Sequence, residues 1–196
     1  MASSKEDILK AIRKNKPGVA TIPPLPAFSS PKGNLLQLFQ ESVNKAGGEV
    51  LVVEQYEALK NIIRQKFPDI NTQYCIGPAE IIDAKSQLSE VNDPHELEQL
   101  ELAIFEGQIG VAENGAVWVT GTQLAHRAAP FITQHLVLLL KKKQIVWNMH
   151  QAYEKLGNDL PDFGVFIAGP SKTADIEQSL VLGAHGPISL TVFLLP

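Results

Sequence analysis

Apolar and polar positions recur along the chain with two periods, and the switching between them maps a succession of helices and strands. Ile8, Leu9 and Ile12 share one helical face behind Ser3 and Glu6, which fit a capping box, and this helix ends before Pro17. Leu35, Leu36, Leu38, Phe39 and Val43 predict a second helix, stopped by Gly47-Gly48. Val50 to Val53 follows as a short apolar run bounded by those glycines, hence a buried strand. Tyr56, Leu59, Ile62 and Ile63 give a helix ending before Pro68, and Gln73 to Ile76 a strand closed by Gly77-Pro78. Pro94 to Leu102 reads as a short helix leading into an apolar run at Ala103 to Phe105. Strands are expected at Ile109–Val111, Ala116–Val119, Gln134–Leu140 and Leu190–Leu195, a buried strand at Gly164–Ala168, and a helix at Trp147–Leu156.

Helix and strand alternate with short connections, which predicts an α/β fold: an open mixed, largely parallel sheet with helices on both faces. A chain of 196 residues fits one such domain, residues 35–196, preceded by an N-terminal helix and a proline-rich arm over residues 1–34. Pro17, Pro23, Pro24, Pro26 and Pro31 leave the arm few backbone donors and pre-set it near polyproline II. Two roles fit it, a surface linker or an arm that joins two copies in a homo-oligomer.

Charge and composition narrow the function. Lys plus Arg number 17 against 21 Asp plus Glu, a net charge of −4, which argues against a nucleic-acid footprint. The single Cys75 excludes an intrachain disulfide and a self-contained zinc site or iron–sulfur cluster. Met1 to Asn15 is charged throughout, and the apolar stretch Leu136–Leu140 falls far short of the roughly 20 residues that span a bilayer. A cytoplasmic protein without membrane contact is expected. No G-x-G-x-x-G opens a helix, and no G-x-S-x-G is present. Lys172-Thr173 resembles the end of a P-loop, but Phe166 and Ser171 occupy its glycine positions. His95, His126, His135, His150 and His185 lack the i, i+4 spacing of a helical metal site. Lys141-Lys142-Lys143 reads as a solvated turn.

Three passages carry candidate chemistry. Asn114-Gly115 between apolar runs is a hairpin signal, and Glu113 beside it is either a turn residue or a carboxylate held as nucleophile, base or polar anchor. Gly169-Pro170-Ser171-Lys172-Thr173-Ala174-Asp175-Ile176-Glu177 follows a strand and is expected to open a helix with Thr173 as cap. Turns of that kind lie at the carboxyl ends of strands and can take an anion at the helix N-terminus, although Asp175 and Glu177 would oppose one. Gly183-Ala184-His185-Gly186-Pro187 holds a histidine on a glycine-bracketed turn, structural or able to transfer protons near neutral pH.

Taken in order, these passages resemble the LUD domain family, in particular its lactate-utilisation protein C type. Ile109 to Gly115 is similar to the family passage ending in Glu-Thr-Gly-Thr. Gly169 to Glu177 looks like its Gly-Pro-Ser-Arg/Lys-Thr-Ala-Asp-Ile-Glu signature, and Leu182 to Pro187 like the segment after it. The likeness covers residues 35–196 in layout and is close residue by residue in the last third. It implies a fold related to the ribose-phosphate isomerase and CoA-transferase group, and a part in oxidising L-lactate to pyruvate beside iron–sulfur partner subunits. Carried onto this chain, it makes Glu113 and His185 the catalytic candidates. Asn114, Gly115, Arg127, Ser171, Lys172, Thr173, Asp175, Glu177 and Gly186 become the residues for a small anionic ligand. Asn114 and Ala116 stand where the family has threonines, which removes two hydroxyl donors from any oxyanion site. No cofactor or metal is expected on this chain, the iron–sulfur cluster belonging to a partner. Two other functions fit: a stand-alone CoA-transferase- or sugar-phosphate-isomerase-like enzyme using Glu113, or a non-catalytic ligand-binding regulatory module.

Overall fold

The longest apolar runs become parallel strands, because a strand covered on both faces needs no polar alternation. The computed structural model describes residues 4–18, 21, 23, 26, 28, 33–70, 75–76, 78, 81, 93–122, 124, 126–174, 180–183 and 185–196, a few of them by backbone alone. Contacts divide the chain into Met1–Ser30 and Pro31–Pro196. The first unit contains helix α1 (Ser4–Lys14), on which Ile8, Leu9 and Ile12 are exposed. Ser3, its expected cap, lies outside the described residues.

The second unit holds helices α2 (Leu35–Lys45), α3 (Leu59–Lys66), α4 (Ala129–Ile132) and α5 (Met149–Leu156). Its strands are β1 (Glu49–Val52), β2 (Cys75–Ile76), β3 (Leu102–Glu106), β4 (Ile109–Val111), β5 (Ala116–Thr120) and β6 (His135–Lys141). They continue with β7 (Ile145–Val146), β8 (Gly164–Ile167), β9 (Lys172–Ala174), β10 (Leu180–Leu182) and β11 (Ser189–Leu195). Five strands form a sheet in the order β1-β11-β6-β3-β2, every neighbouring pair parallel.

Strand β6 explains the layering. It sends Leu136, Leu138 and Leu140 to one face and Val137 and Leu139 to the other. The second face packs on Leu59 and Ile63 of α3. The first packs on Phe39 and Val43 of α2 and on Val117 and Val119 of β5. Each fully buried Leu or Phe here contributes about 1.5–3 kcal/mol by leaving water. The expected open parallel sheet with helices on both faces thus forms. A second, mixed sheet, β7-β4-β5-β8, with β4 parallel to β7 and antiparallel to β5, is stacked on the first and covered outside by Ala152 and Leu156 of α5. The hairpin β4–β5 pairs locally across a four-residue connection, so these strands pack upon the parallel sheet instead of widening it.

Two expectations need correction. Strand β8 is half-buried along its length, because it is the edge of the second sheet. The helix expected after Ser171, with Thr173 as its cap, does not begin among the described residues, and residues 175–179 lie outside them. Lys172–Ala174 is extended and pairs antiparallel with Leu180–Leu182, Thr173 opposite Val181. Ser171 extends this pairing by accepting the Gly183 N–H at 3.1 Å. A β-branched Thr173 suits a strand, and with only five residues between the two strands the pair closes at little entropic cost. Among the described residues no helix starts at Thr173 to supply the anion site expected there.

Candidate functional site

Parallel pairing sets strand starts side by side, with Ser189 of β11 directly opposite His135 of β6. The segments entering those strands must then meet at one edge. Gly47-Gly48 enters β1, Gln134 enters β6 and His185-Gly186-Pro187 leads into β11. The Gln134 carbonyl accepts the Ile188 N–H at 2.8 Å, and the Pro187 carbonyl accepts the Ser171 N–H at 2.9 Å. A methyl group added to Gly186 would lie 3.1 Å from Ser171 Cβ, so these two segments touch at van der Waals range. Gly169 holds φ +76° with its Cα against the end of α2, where a methyl would sit 2.2 Å from the Ala46 carbonyl oxygen. Only glycine fits both demands. The Lys172 side chain reaches back over Gly47. Ser171, Lys172 and Gly186 are thus brought together, with exposed His185 on the same loop. They frame the amino edge of the parallel sheet, although the signature leaves the carboxyl end of β8 in the second sheet.

A cavity of ≈ 390 Å³ opens at this amino edge, lined by Gly47, Gly48, Glu49, Lys66, Phe67, Asp69, Ile70, His135 and Ser189 among others. His135 Nδ1 and Ser189 Oγ are 2.7 Å apart, a short hydrogen bond. The Phe67 ring, 5.2 Å from the imidazole and tilted 42°, fixes its plane. Burial holds the His135 pKa below its usual value; Glu101 opposes the shift and Lys66 adds to it. His135 is therefore a neutral imidazole at pH 7. Lys66 donates to the Glu49 carboxylate at the start of β1. A second cavity, ≈ 470 Å³, lies at the carboxyl edge beside Glu106, Gly107, Leu139, Lys141 and Leu195.

The first candidate passage forms the expected hairpin turn. Asn114 Oδ1 accepts the Ala116 N–H at 3.0 Å, and Gly115 adopts φ +71°. Glu113 is exposed, and its carboxylate accepts the Met149 N–H at 3.1 Å. Met149 opens α5, whose cap Asn148 accepts the Gln151 N–H at 2.9 Å. Glu113 thus answers a free donor at the positive end of a helix. Arg127 is exposed, its guanidinium 5.3 Å from the Phe163 ring centroid, a cation–π contact. Thr173 is described by backbone alone; Asp175 and Glu177 lie outside the described residues.

His135, Ser189 and Lys66 did not emerge from the sequence. The only local signal was a histidine opening a run of five apolar residues. Its pairing with Ser189 becomes visible once β6 and β11 are known to be parallel neighbours. Among the described residues, no group of three or more His, Cys, Asp or Glu is placed to hold a metal ion. Among them, too, no helix is long and apolar enough to cross a membrane.

Comparison with known proteins agrees with this layout. The chain is 27% identical over 204 residues to the lactate utilization protein C of Geobacillus sp. (strain WCH70), an alignment covering 98% of this chain and 79% of that protein. It is 27% identical over 173 residues to the lactate utilization protein C of Bacillus subtilis (strain 168), covering 82% of this chain and 68% of that protein. Among solved structures, a DUF162 family protein from Deinococcus radiodurans shares the fold with a TM-score of 0.63 at 15% identity, across 83% of this chain and 96% of that one. The model of the LUD domain matches residues 36–195, and the chain belongs to the LUD domain family.

Proposed function

We propose that this chain acts in L-lactate utilisation as a subunit of a lactate-oxidising system. In this reading it binds a small anionic ligand in the cytoplasm, while iron–sulfur partner subunits carry the electrons. The observation that carries the reading is the similarity to lactate utilization protein C across 98% of the chain. Oxidising lactate to pyruvate releases two electrons and two protons. One cysteine cannot ligate a cluster, and no dinucleotide fingerprint is present, so the carrier belongs to a partner. The meeting of Ser171 with Gly186, and the reach of Lys172 over Gly47 of the cavity wall, supports a ligand-binding role for the signature segments.

Glu113 fits this assignment as a helix-binding carboxylate, and the stand-alone enzyme reading that relies on it gains nothing from its geometry. The test has two parts. A host lacking its own lactate utilization protein C should regain growth on L-lactate when supplied with this chain. The purified chain alone should not reduce an artificial electron acceptor with lactate. Failure of complementation, or robust turnover by the isolated chain, contradicts the assignment.

A further inference from the structure

The amino-edge cavity contains a set of groups that none of the signature residues supplies. His135 presents a neutral imidazole, tied through Nδ1 to Ser189 Oγ at 2.7 Å. Lys66 presents an ammonium at the cavity wall, currently bound to the Glu49 carboxylate. Phe67 and Ile70 add apolar wall. The Glu49 side chain is half exposed at the start of an edge strand, so it can swing into water. Its carboxylate marks where a ligand carboxylate would meet Lys66.

From this geometry we infer that the amino-edge cavity binds a short 2-hydroxy or 2-keto monocarboxylate, with its carboxylate on Lys66 and its α-oxygen on His135. This rests on the lactate reading above and assigns its ligand to named residues. The hydroxyl of Ser189 explains why both oxidation levels fit. A serine hydroxyl can donate or accept. When it accepts from Nδ1–H, the other ring nitrogen, Nε2, offers a lone pair to an α-hydroxyl. When it donates to Nδ1, Nε2–H is free to donate to an α-keto oxygen. A change of ring tautomer, the Nδ1 proton lost to water as Nε2 gains one and the Ser189 hydroxyl turning to match, therefore suits the imidazole to either ligand class, with no bond to carbon made or broken.

The charge balance sets the class further. Lys66 shares the cavity lining with Glu49 and Asp69, so one ligand carboxylate can displace Glu49 while a second on the same short backbone would meet Asp69, Lys172 lying over Gly47 rather than among the lining residues. Monocarboxylates are favoured over dicarboxylates of the same backbone. The cavity, ≈ 390 Å³, exceeds a three-carbon acid, and bridging waters fill the remainder.

Calorimetric titration of the full chain tests this with L-lactate, pyruvate, glycolate, propionate and L-malate as probes. L-Lactate and pyruvate should bind at least tenfold more tightly than L-malate. Lys66→Met should weaken lactate binding tenfold or more, and Glu49→Gln should tighten it threefold or more by releasing Lys66. Because Glu49→Gln is a mild change at a half-exposed position and predicts a gain, misfolding cannot imitate it. His135→Phe should weaken lactate more than propionate, which has no α-oxygen. Lactate binding that Lys66→Met and Glu49→Gln leave unchanged overturns the assignment of this cavity while sparing the lactate reading. Binding of glycolate but not lactate, with the same response to both variants, upholds the cavity and overturns lactate as its ligand. No binding by any monocarboxylate overturns the cavity assignment, and the growth experiment then judges the lactate reading separately.

Discussion

Replacing Gly115 by alanine separates two costs that a glycine turn conceals. Gly115 sits at φ +71°, and a methyl group there would lie 2.6 Å from Val43 N and 2.8 Å from both Ser42 C and Val43 Cα. All three atoms belong to the backbone of α2, which cannot step aside as a flexible side chain would. Forcing a residue with a Cβ into the left-handed region costs about 1–2 kcal/mol. Overpacking against a fixed neighbour adds about 1–3 kcal/mol. The sum, about 2–5 kcal/mol, is a large share of the roughly 5–15 kcal/mol that holds a domain folded. At about 2–4 °C per kcal/mol for a chain of this size, Tm should fall by about 4–20 °C. Gly157 supplies a comparison without packing, since it holds φ +65° and ψ −154°, a region essentially confined to glycine, with nothing within 4 Å of the added methyl. Gly157→Ala should therefore show a conformational cost alone, about 1–3 kcal/mol. Urea unfolding followed by circular dichroism measures both. A Gly115→Ala loss below about 1 kcal/mol would refute the close packing of the Asn114-Gly115 turn on α2.

Other outcomes follow from the same contacts. Gly164→Ala would put a methyl 2.1 Å from Trp118 Cζ2, and should cost about 1–3 kcal/mol. Trp118→Phe should restore part of that loss, giving a coupling above about 0.5 kcal/mol in a double-mutant cycle. Glu113→Gln keeps an acceptor for the Met149 N–H but loses the charge facing α5, so urea melts should show a loss under about 1 kcal/mol. The same variant should bind lactate as the wild type does. For His135, the folded pKa lies below the usual 6.5, so between those two values the unfolded chain holds more protons. Stability from this group is full above the usual value and is lost as pH falls through the window toward the folded pKa. Urea melts across that range should show the slope, and His135→Phe should remove it. His95, raised by its hydrogen bond to exposed Asp93, contributes in the opposite sense, and remains in both proteins as a common background.

The layers were readable where one pattern admits one structure. Leu136–Leu140 is apolar at every position, which suits a strand buried on both faces, and β6 occupies the centre of the parallel sheet. Gly47-Gly48 stopped α2 as expected. Lys172–Ala174 was different, because Lys-Thr-Ala, with one β-branched residue that can also cap a helix, serves a helix start or a strand equally well locally. Its pairing with Leu180–Leu182 decided the matter. The site divided in the same way. Glycines and the conspicuous Gly-Pro-Ser run announced that Ser171 and Gly186 sit on unusual backbone. Which strand ends they would frame depended on pairing between distant segments. His135 and Ser189 are 54 residues apart in sequence and meet only because β6 and β11 run parallel in register.

Ligand binding at the amino edge can be observed directly, because the five histidines provide separate reporters of it. Long-range 1H–15N spectra of the histidine side chains, recorded on the full chain during titration with L-lactate, observe each ring directly. His135 should shift saturably and remain neutral at pH 7, while His95 and His150 stay in place. Saturable shifts confined to histidines other than His135, or none from His135 at lactate concentrations that saturate binding, would contradict it.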